Sequence, residues 1–192
     1  MLDWKAFQSL KTDSQHFGRI LGEPITDGNG FLFPAGSPPL EGFRIRYDTE
    51  RKFLGKIYVM MAEGGIPGAG LFPTSERIEL RYSGFFRKGK PFFLSVPAKD
   101  PKALDHRALQ LLNEDSFLIE RCRDLEIEFL RVVFDSRDKT WKVQARPYGG
   151  SFIKIAFPPL QYHVVLVQEQ AGLIVSVMKR IAELMTGMDG QG

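Results

Sequence analysis

The sequence predicts an α+β protein: two antiparallel halves, each a four-stranded sheet followed by a helix, packed as one unit behind an N-terminal helix. Three observations carry that expectation. The pattern of strands, turns and helix over residues 43–113 is written a second time over residues 125–185. The strands come in runs joined by short turns, an order that disfavours parallel βαβ units. Sixteen phenylalanines in 192 residues, many in alternating stretches, favour a β-rich core. Either half alone would bury a poor fraction of its surface, so a shared core is expected.

The elements follow in order. Asp3 is placed to cap a first helix, with Trp4, Phe7 and Leu10 at helical spacing. Phe17, Ile20 and Leu21 continue the apolar stripe, and Thr12-Asp13-Ser14 is a candidate break in it. Residues 22–40 are rich in Gly and Pro and are expected as a connector or irregular cover, with Phe31, Leu32 and Phe33 packing somewhere. Helix and connector make up residues 1–40.

The first half, residues 41–124, opens with Phe43-Arg44-Ile45-Arg46-Tyr47, an alternation that puts Arg44 and Arg46 on one sheet face. A turn is expected at residues 49–52, a return strand at 53–61, and a long glycine-rich loop at 62–73. Strands at 77–82 and 91–96 flank a turn at 85–90. Asp100 and Pro101 are suited to start a helix with Leu104, Ala108, Leu111 and Leu112 on its apolar face. A further helical piece at 115–123 leads into the second half, residues 125–187. There Leu125, Ile127 and Phe129 alternate with Glu126 and Glu128, and Val132-Val133-Phe134 breaks the alternation, which suggests a bulge or burial on both faces. A return strand at 140–146, a turn at Pro147-Tyr148-Gly149-Gly150, a hairpin around Pro158-Pro159 and a helix over 168–185 complete it. Residues 188–192 are expected to be a disordered tail.

Net charge is +3 with a pI near 9.0, too mildly basic to imply nucleic acid by itself. Cys122 is the one cysteine, so an internal disulfide is excluded and a reducing compartment fits; in its helical stretch it reads as a small packed hydrophobe. The N-terminus lacks a basic region followed by an apolar run, and the apolar runs at 164–167 and 173–177 are too short to span a bilayer. The expectation is a cytoplasmic protein with no membrane span.

No motif carries chemistry. The glycine-rich stretch 63–70 is followed by a strand and not a helix, and lacks Gly-Lys-Ser/Thr, so it does not read as a phosphate loop. His16, His106 and His163 sit in separate elements without companion ligands, so neither a metal nor another cofactor is implied. No Gly-x-Ser-x-Gly occurs. Glu126 and Glu128 point one way on a strand, as exposed acids commonly do.

Two places stand out as binding candidates. The hairpin 77–93 combines Arg77, Arg81, Arg87, Lys88 and Lys90 with Tyr82, Phe85, Phe86, Phe92 and Phe93, a set able to meet phosphates and bases. A solvated hairpin tip with its phenylalanines turned inward is the competing description. Arg146 beside Tyr148 and a flexible turn suits an acidic group, and His163 between Tyr162 and Val164 suits a surface or interface. The candidate binding residues are therefore Arg81, Phe85, Phe86, Arg87, Lys88, Arg146, Tyr148 and His163. The expected function is a non-catalytic binding protein that uses a concave sheet face for a small apolar ligand or a protein partner. The alternatives are nucleic-acid binding through 77–93, and an enzyme whose residues converge only in the fold. An edge-strand homodimer through 161–167 is a further expectation.

The element order over residues 43–185 resembles the TATA-box-binding-protein-like duplication, in which two β4α halves join into one curved sheet. That resemblance implies paired phenylalanines wedging between bases, with Phe85-Phe86 in the first half. The matching turn, Pro158-Pro159-Leu160, has neither aromatics nor positive charge, which would leave the grip one-sided. The stretch from Pro147-Tyr148-Gly149-Gly150-Ser151 to Gln168-Glu169-Gln170 also looks like a family of uncharacterised bacterial proteins, which implies no activity.

Overall fold

The computed structural model describes residues 3–34, 39–67, 77–84, 89–96, 106–135 and 140–187. The expected turn at 49–52, residues 62–67 of the expected loop 62–73 and the helix start at 115 fall within these residues; residues 68–73 of that loop, the turn residues 85–88, the helix start at Asp100-Pro101 and the tail 188–192 lie outside them. Among the described residues, four helices pack on one face of a ten-stranded antiparallel sheet, an α+β arrangement.

The first helix, α1 (Trp4–Leu21), starts where Asp3 accepts a hydrogen bond from the Lys5 N–H at 3.0 Å. It runs straight through Thr12-Asp13-Ser14. Asp13 and Ser14 join the buried stripe of Ala6, Leu10, Phe17 and Leu21, and the Ser14 hydroxyl donates to the Lys11 carbonyl at 2.7 Å. The expected irregular cover contains instead a short hairpin, β1 (Ile25–Asp27) and β2 (Gly30–Phe33), which extends the sheet. Its alternate residues Phe31 and Phe33 turn to the core, where the rings of Phe33, Phe17 and Phe43 meet at tilted to edge-on angles with centroids 5.6–6.2 Å apart.

β3 (Glu41–Lys52) and β4 (Gly55–Ile66) form a longer hairpin than expected: residues 49–52 pair with residues 55–58, and the chain turns at Phe53-Leu54. The stretch 62–66, expected as loop, is the end of β4, and Gly64 and Gly65 lie opposite Val143 and Lys142. β5 (Arg77–Tyr82) and β6 (Pro91–Val96) pair with each other as expected. α2 (His106–Glu114) is tied to β6 through Asn113, whose side-chain amide both accepts from the Phe93 N–H (2.8 Å) and donates to its carbonyl (2.9 Å). α3 (Ser116–Arg123) is capped by Asp115, which also receives Arg180 at 2.5 Å.

The second group of strands is β7 (Ile127–Asp135), β8 (Thr140–Pro147), β9 (Phe152–Ile155) and β10 (Leu160–His163), followed by α4 (Gln168–Thr186). The register shift in β7 lies between Ile127 and Phe129, not at 132–134. Six strands thus precede α2 and four lie between α3 and α4, and the sheet does not divide into two copies. Its order is β1-β2-β3-β4-β8-β7-β5-β6, with β9 paired to β4 and β10 to β9, so the β7–β8 hairpin lies between β4 and β5. The two groups of strands interleave.

β8 and β9 both lie along β4, and residues 146–151 bulge out opposite residues 59–61. Glycine is required at the bend: Gly150 has φ +81°, and a Cβ there would meet Met60 Cε at 2.5 Å. The Tyr47 hydroxyl donates to the Gly150 carbonyl at 2.8 Å and locks the bulge against β3. The core lies between the sheet and the helices, with Ile174, Val177, Met178 and Ile181 of α4 at its centre. Cys122 is fully buried there, and burial pushes its thiol up to about 12, so it behaves as the packed hydrophobe expected. No described helix is long and apolar enough to cross a membrane.

Candidate functional site

Strand alternation sends every second side chain away from the helices. On that face the registers align Arg44 (β3), Glu63 (β4), Gln144 (β8), Arg131 (β7) and Glu79 (β5) in one row across five strands. The row is hydrogen-bonded. Arg44 donates to Glu63 through Nε (3.1 Å) and Nη2 (2.6 Å), Gln144 donates to the other Glu63 oxygen at 2.5 Å, and Arg131 Nε donates to Gln144 Oε1 at 2.8 Å. Burial would raise the Glu63 carboxyl, but these donors outweigh it and hold the group below its ordinary value.

Arg146 lies beside this row. It donates to Glu50 at 2.8 Å and to Glu128 at 3.1 and 3.2 Å, and its side chain is only 14% exposed. The Phe129 ring is flanked by Arg131, 4.5 Å from its centroid, and Arg146, 5.7 Å away. Arg146 Nε and Arg46 Nε are buried with no hydrogen-bond acceptor among the described residues. Val59 and Met61 form an apolar floor on the same face and are almost wholly covered, as the long stems of arginines can do.

The row ends at an opening. β5 and β7 pair only from Arg77–Val133 to Glu79–Arg131, and beyond that the described strands part. A cavity of about 220 Å³ lies between them, lined by Leu80, Arg81 and Tyr82 on one side and residues 127–130 on the other. Arg77 and Arg81 both pair with Glu79, and Arg131 is its cross-strand neighbour. Burial lowers the Arg131 pKa, and the positive charges of Arg77 and Arg146 lower it further. Around the opening stand the guanidiniums of Arg77, Arg81 and Arg131 and the carboxylates of Glu79 and Glu128.

Of the residues expected to bind, the structure brings Arg81 and Arg146 to this neighbourhood, both through Glu128 and Phe129. Tyr148 is on the adjacent bulge, 44% exposed, with its N–H donating to the Glu126 carbonyl at 3.0 Å. His163 is elsewhere, on the helix side, where Nε2 lies 2.6 Å from Asp13 Oδ2. Asp13 is fully buried and also accepts from the Leu166 N–H at 3.3 Å, so this pair fastens α1 to the segment entering α4. Arg146 and His163 therefore do not converge with an acid in one cleft. Phe85, Phe86, Arg87 and Lys88 lie outside the described residues. Sequence reasoning missed Glu63, Glu79, Phe129, Arg131 and Gln144, whose only signal is a shared alternation phase on four strands. Among the described residues no group of histidine, cysteine and acidic side chains is placed to hold a metal.

A family model described as Protein of unknown function (DUF3156) matches residues 16–185. No curated protein and no solved structure matches the chain.

Proposed function

We propose, for a chain that belongs to the family described as Protein of unknown function (DUF3156), the role of a binding protein that holds a small carboxylate-bearing ligand between β5 and β7. What supports this is the guanidinium cluster at the opening: Arg81 lines a cavity of about 220 Å³ beside Glu128, Arg77 and Arg81 both pair with Glu79, and Arg131 is the cross-strand neighbour of Glu79. A ligand carboxylate would take a fork-to-fork pair from Arg81, whose side chain is 56% exposed, without displacing a buried ion pair. The charged lining favours a polar ligand over the apolar one the sequence suggests.

The test is thermal unfolding against a panel of mono- and dicarboxylates and amino acids. A ligand at one hundred times its Kd adds about 2.7 kcal/mol of stability, roughly 5–10 °C for a chain of this size. Arg81→Ala, which leaves Glu79 its pair with Arg77 and lowers the unliganded Tm, should abolish that shift. No shift with any compound, or an undiminished shift in Arg81→Ala, overturns the proposal. Salt-sensitive retardation of DNA or RNA, lost in Arg81→Ala, would favour the nucleic-acid alternative instead.

A further inference from the structure

Two hairpin turns meet at one end of the sheet. The β3–β4 turn, Phe53-Leu54, and the β9–β10 turn, residues 156–159, are joined by a hydrogen bond from the Ala156 N–H to the Leu54 carbonyl at 2.7 Å. Phe53 is fully exposed (101%), Phe157 is 76% exposed, and Leu54 and Leu160 are about half exposed. An isolated exposed apolar side chain is ordinary, but four on two adjoining tips make a contiguous patch. Trp4, 71% exposed, begins the helix whose capping Asp3 reaches Lys154 beneath these tips at 2.7 Å.

The strands behind the patch carry a second anomaly. Arg51 lies opposite Lys56, and Lys56 lies opposite Lys154, so three cations form one cross-strand row. Like charges placed directly opposite one another are destabilising. Lys154 is paired with Asp3, but Arg51 and Lys56 have no acidic partner among the described residues. A cavity of about 270 Å³, lined by Lys56, Lys154, Tyr58 and Asp3, opens between the cations and the tips. Gly55 lets β9 approach this closely, since a Cβ there would meet the Lys154 carbonyl at 2.1 Å.

We propose that this end of the molecule docks on an anionic phospholipid surface: the two turns enter the interface and the row Arg51–Lys56–Lys154 meets the phosphates. Charge complementarity identifies the partner. Apolar tips alone would suit any hydrophobic surface, but tips backed by a cationic row in which Arg51 and Lys56 have no acidic partner among the described residues match a bilayer whose headgroups are negative. The cavity between Lys56 and Lys154 is where a headgroup phosphate would sit. The docking end is separate from the β5–β7 opening, so the two proposals fail independently.

The experiment is co-sedimentation of the full chain with vesicles of phosphatidylcholine alone and of phosphatidylcholine containing phosphatidylglycerol, at low and high salt. Binding is expected to the anionic vesicles and to weaken with salt. Phe53→Ser with Phe157→Ser should lower partition roughly tenfold or more, and these exposed positions leave the Tm unchanged. Lys56→Gln with Lys154→Gln should lower it about fivefold per charge and weaken the preference for phosphatidylglycerol to the same extent. Absence of binding to anionic vesicles, or undiminished binding of both variants, overturns the proposal. So does inorganic phosphate raising the Tm of the double serine variant and the wild type alike without vesicle binding, which assigns the cations to free phosphate. A dimer in solution that the serine variant converts to monomer likewise overturns it, since the tips then cover a second copy.

Discussion

Replacing Glu63 with glutamine should cost more than the loss of one charge, because the row Arg44–Glu63–Gln144–Arg131 has a fixed polarity. Arginines donate from both ends, so the side chains between them must take up two incoming donors. Glu63 does this as a carboxylate, accepting from Arg44 at 2.6 Å and from Gln144 at 2.5 Å, while the Gln144 oxygen accepts from Arg131 at 2.8 Å. In Glu63→Gln one amide donor must face another whichever way the two amides are turned. Glu63 is 6% exposed, so that donor is left unsatisfied in a nearly dry setting. An unsatisfied buried polar group costs about 1–3 kcal/mol, and weakening the charge-assisted bonds from Arg44 adds about 1 kcal/mol, discounted because Arg44 is partly exposed. The expected loss is about 2–4 kcal/mol, read as a lower urea midpoint at constant slope. Arg131→Gln supplies an acceptor at the far end and lets both amides turn head to tail, with Glu79 as the final acceptor. The double variant should therefore be more stable than the sum of the single variants by about 1 kcal/mol or more. Additivity within about 0.5 kcal/mol would refute the fixed polarity of the row.

Three further outcomes are expected. Because donors hold the folded Glu63 carboxyl below its ordinary value of 4.5, its contribution is complete above that value and is lost as pH falls through the lower folded pKa; acid unfolding of Glu63→Gln should be flatter over that window than that of the wild type. Asp13→Ala removes the acceptor of both His163 and the Leu166 N–H, and should cost about 2–4 kcal/mol in urea unfolding, with faster amide exchange at the start of α4. Cys122, fully buried with its thiol pushed up to about 12, should react with a thiol reagent only at the rate of unfolding.

Elements with a clean local period were legible in the sequence. Asp3 and the Trp4–Leu10 spacing marked α1, and the alternations at 43–47 and 77–82 marked β3 and β5. Legibility failed where a tertiary neighbour overrides a local signal. Asp13 looked like a break in an apolar stripe, but His163 and the Leu166 N–H satisfy it inside the core. Gly64 and Gly65 looked like loop, yet β8 pairs with them and Leu40 packs where a Cβ on Gly64 would stand. The turn expected at 49–52 gave way to pairing of those residues with 55–58 on β4, and Glu50 binds Lys52 and Arg146 from within the strand. The hairpin β1–β2 carried a readable sign, Phe31 and Phe33 two apart after Asp27-Gly28-Asn29-Gly30. The insertion of β7–β8 between β4 and β5 is a long-range pairing with no local signature, and the row of charged side chains exists only because of it. For the same reason Arg81 and Arg146 were nameable one at a time, whereas Phe129, Arg131 and Glu79 became part of a site only once three strands were aligned.

The most direct test of the binding account is a two-dimensional NMR titration of the isotope-labelled chain with the most stabilising carboxylate of the panel. The account predicts that resonances of Arg81, Tyr82, Glu128 and Phe129 move together and saturate at one ligand per chain, and that Arg81→Ala removes the movement. Shifts confined to Lys56 and Lys154, or none at the β5–β7 opening under saturation, would contradict it.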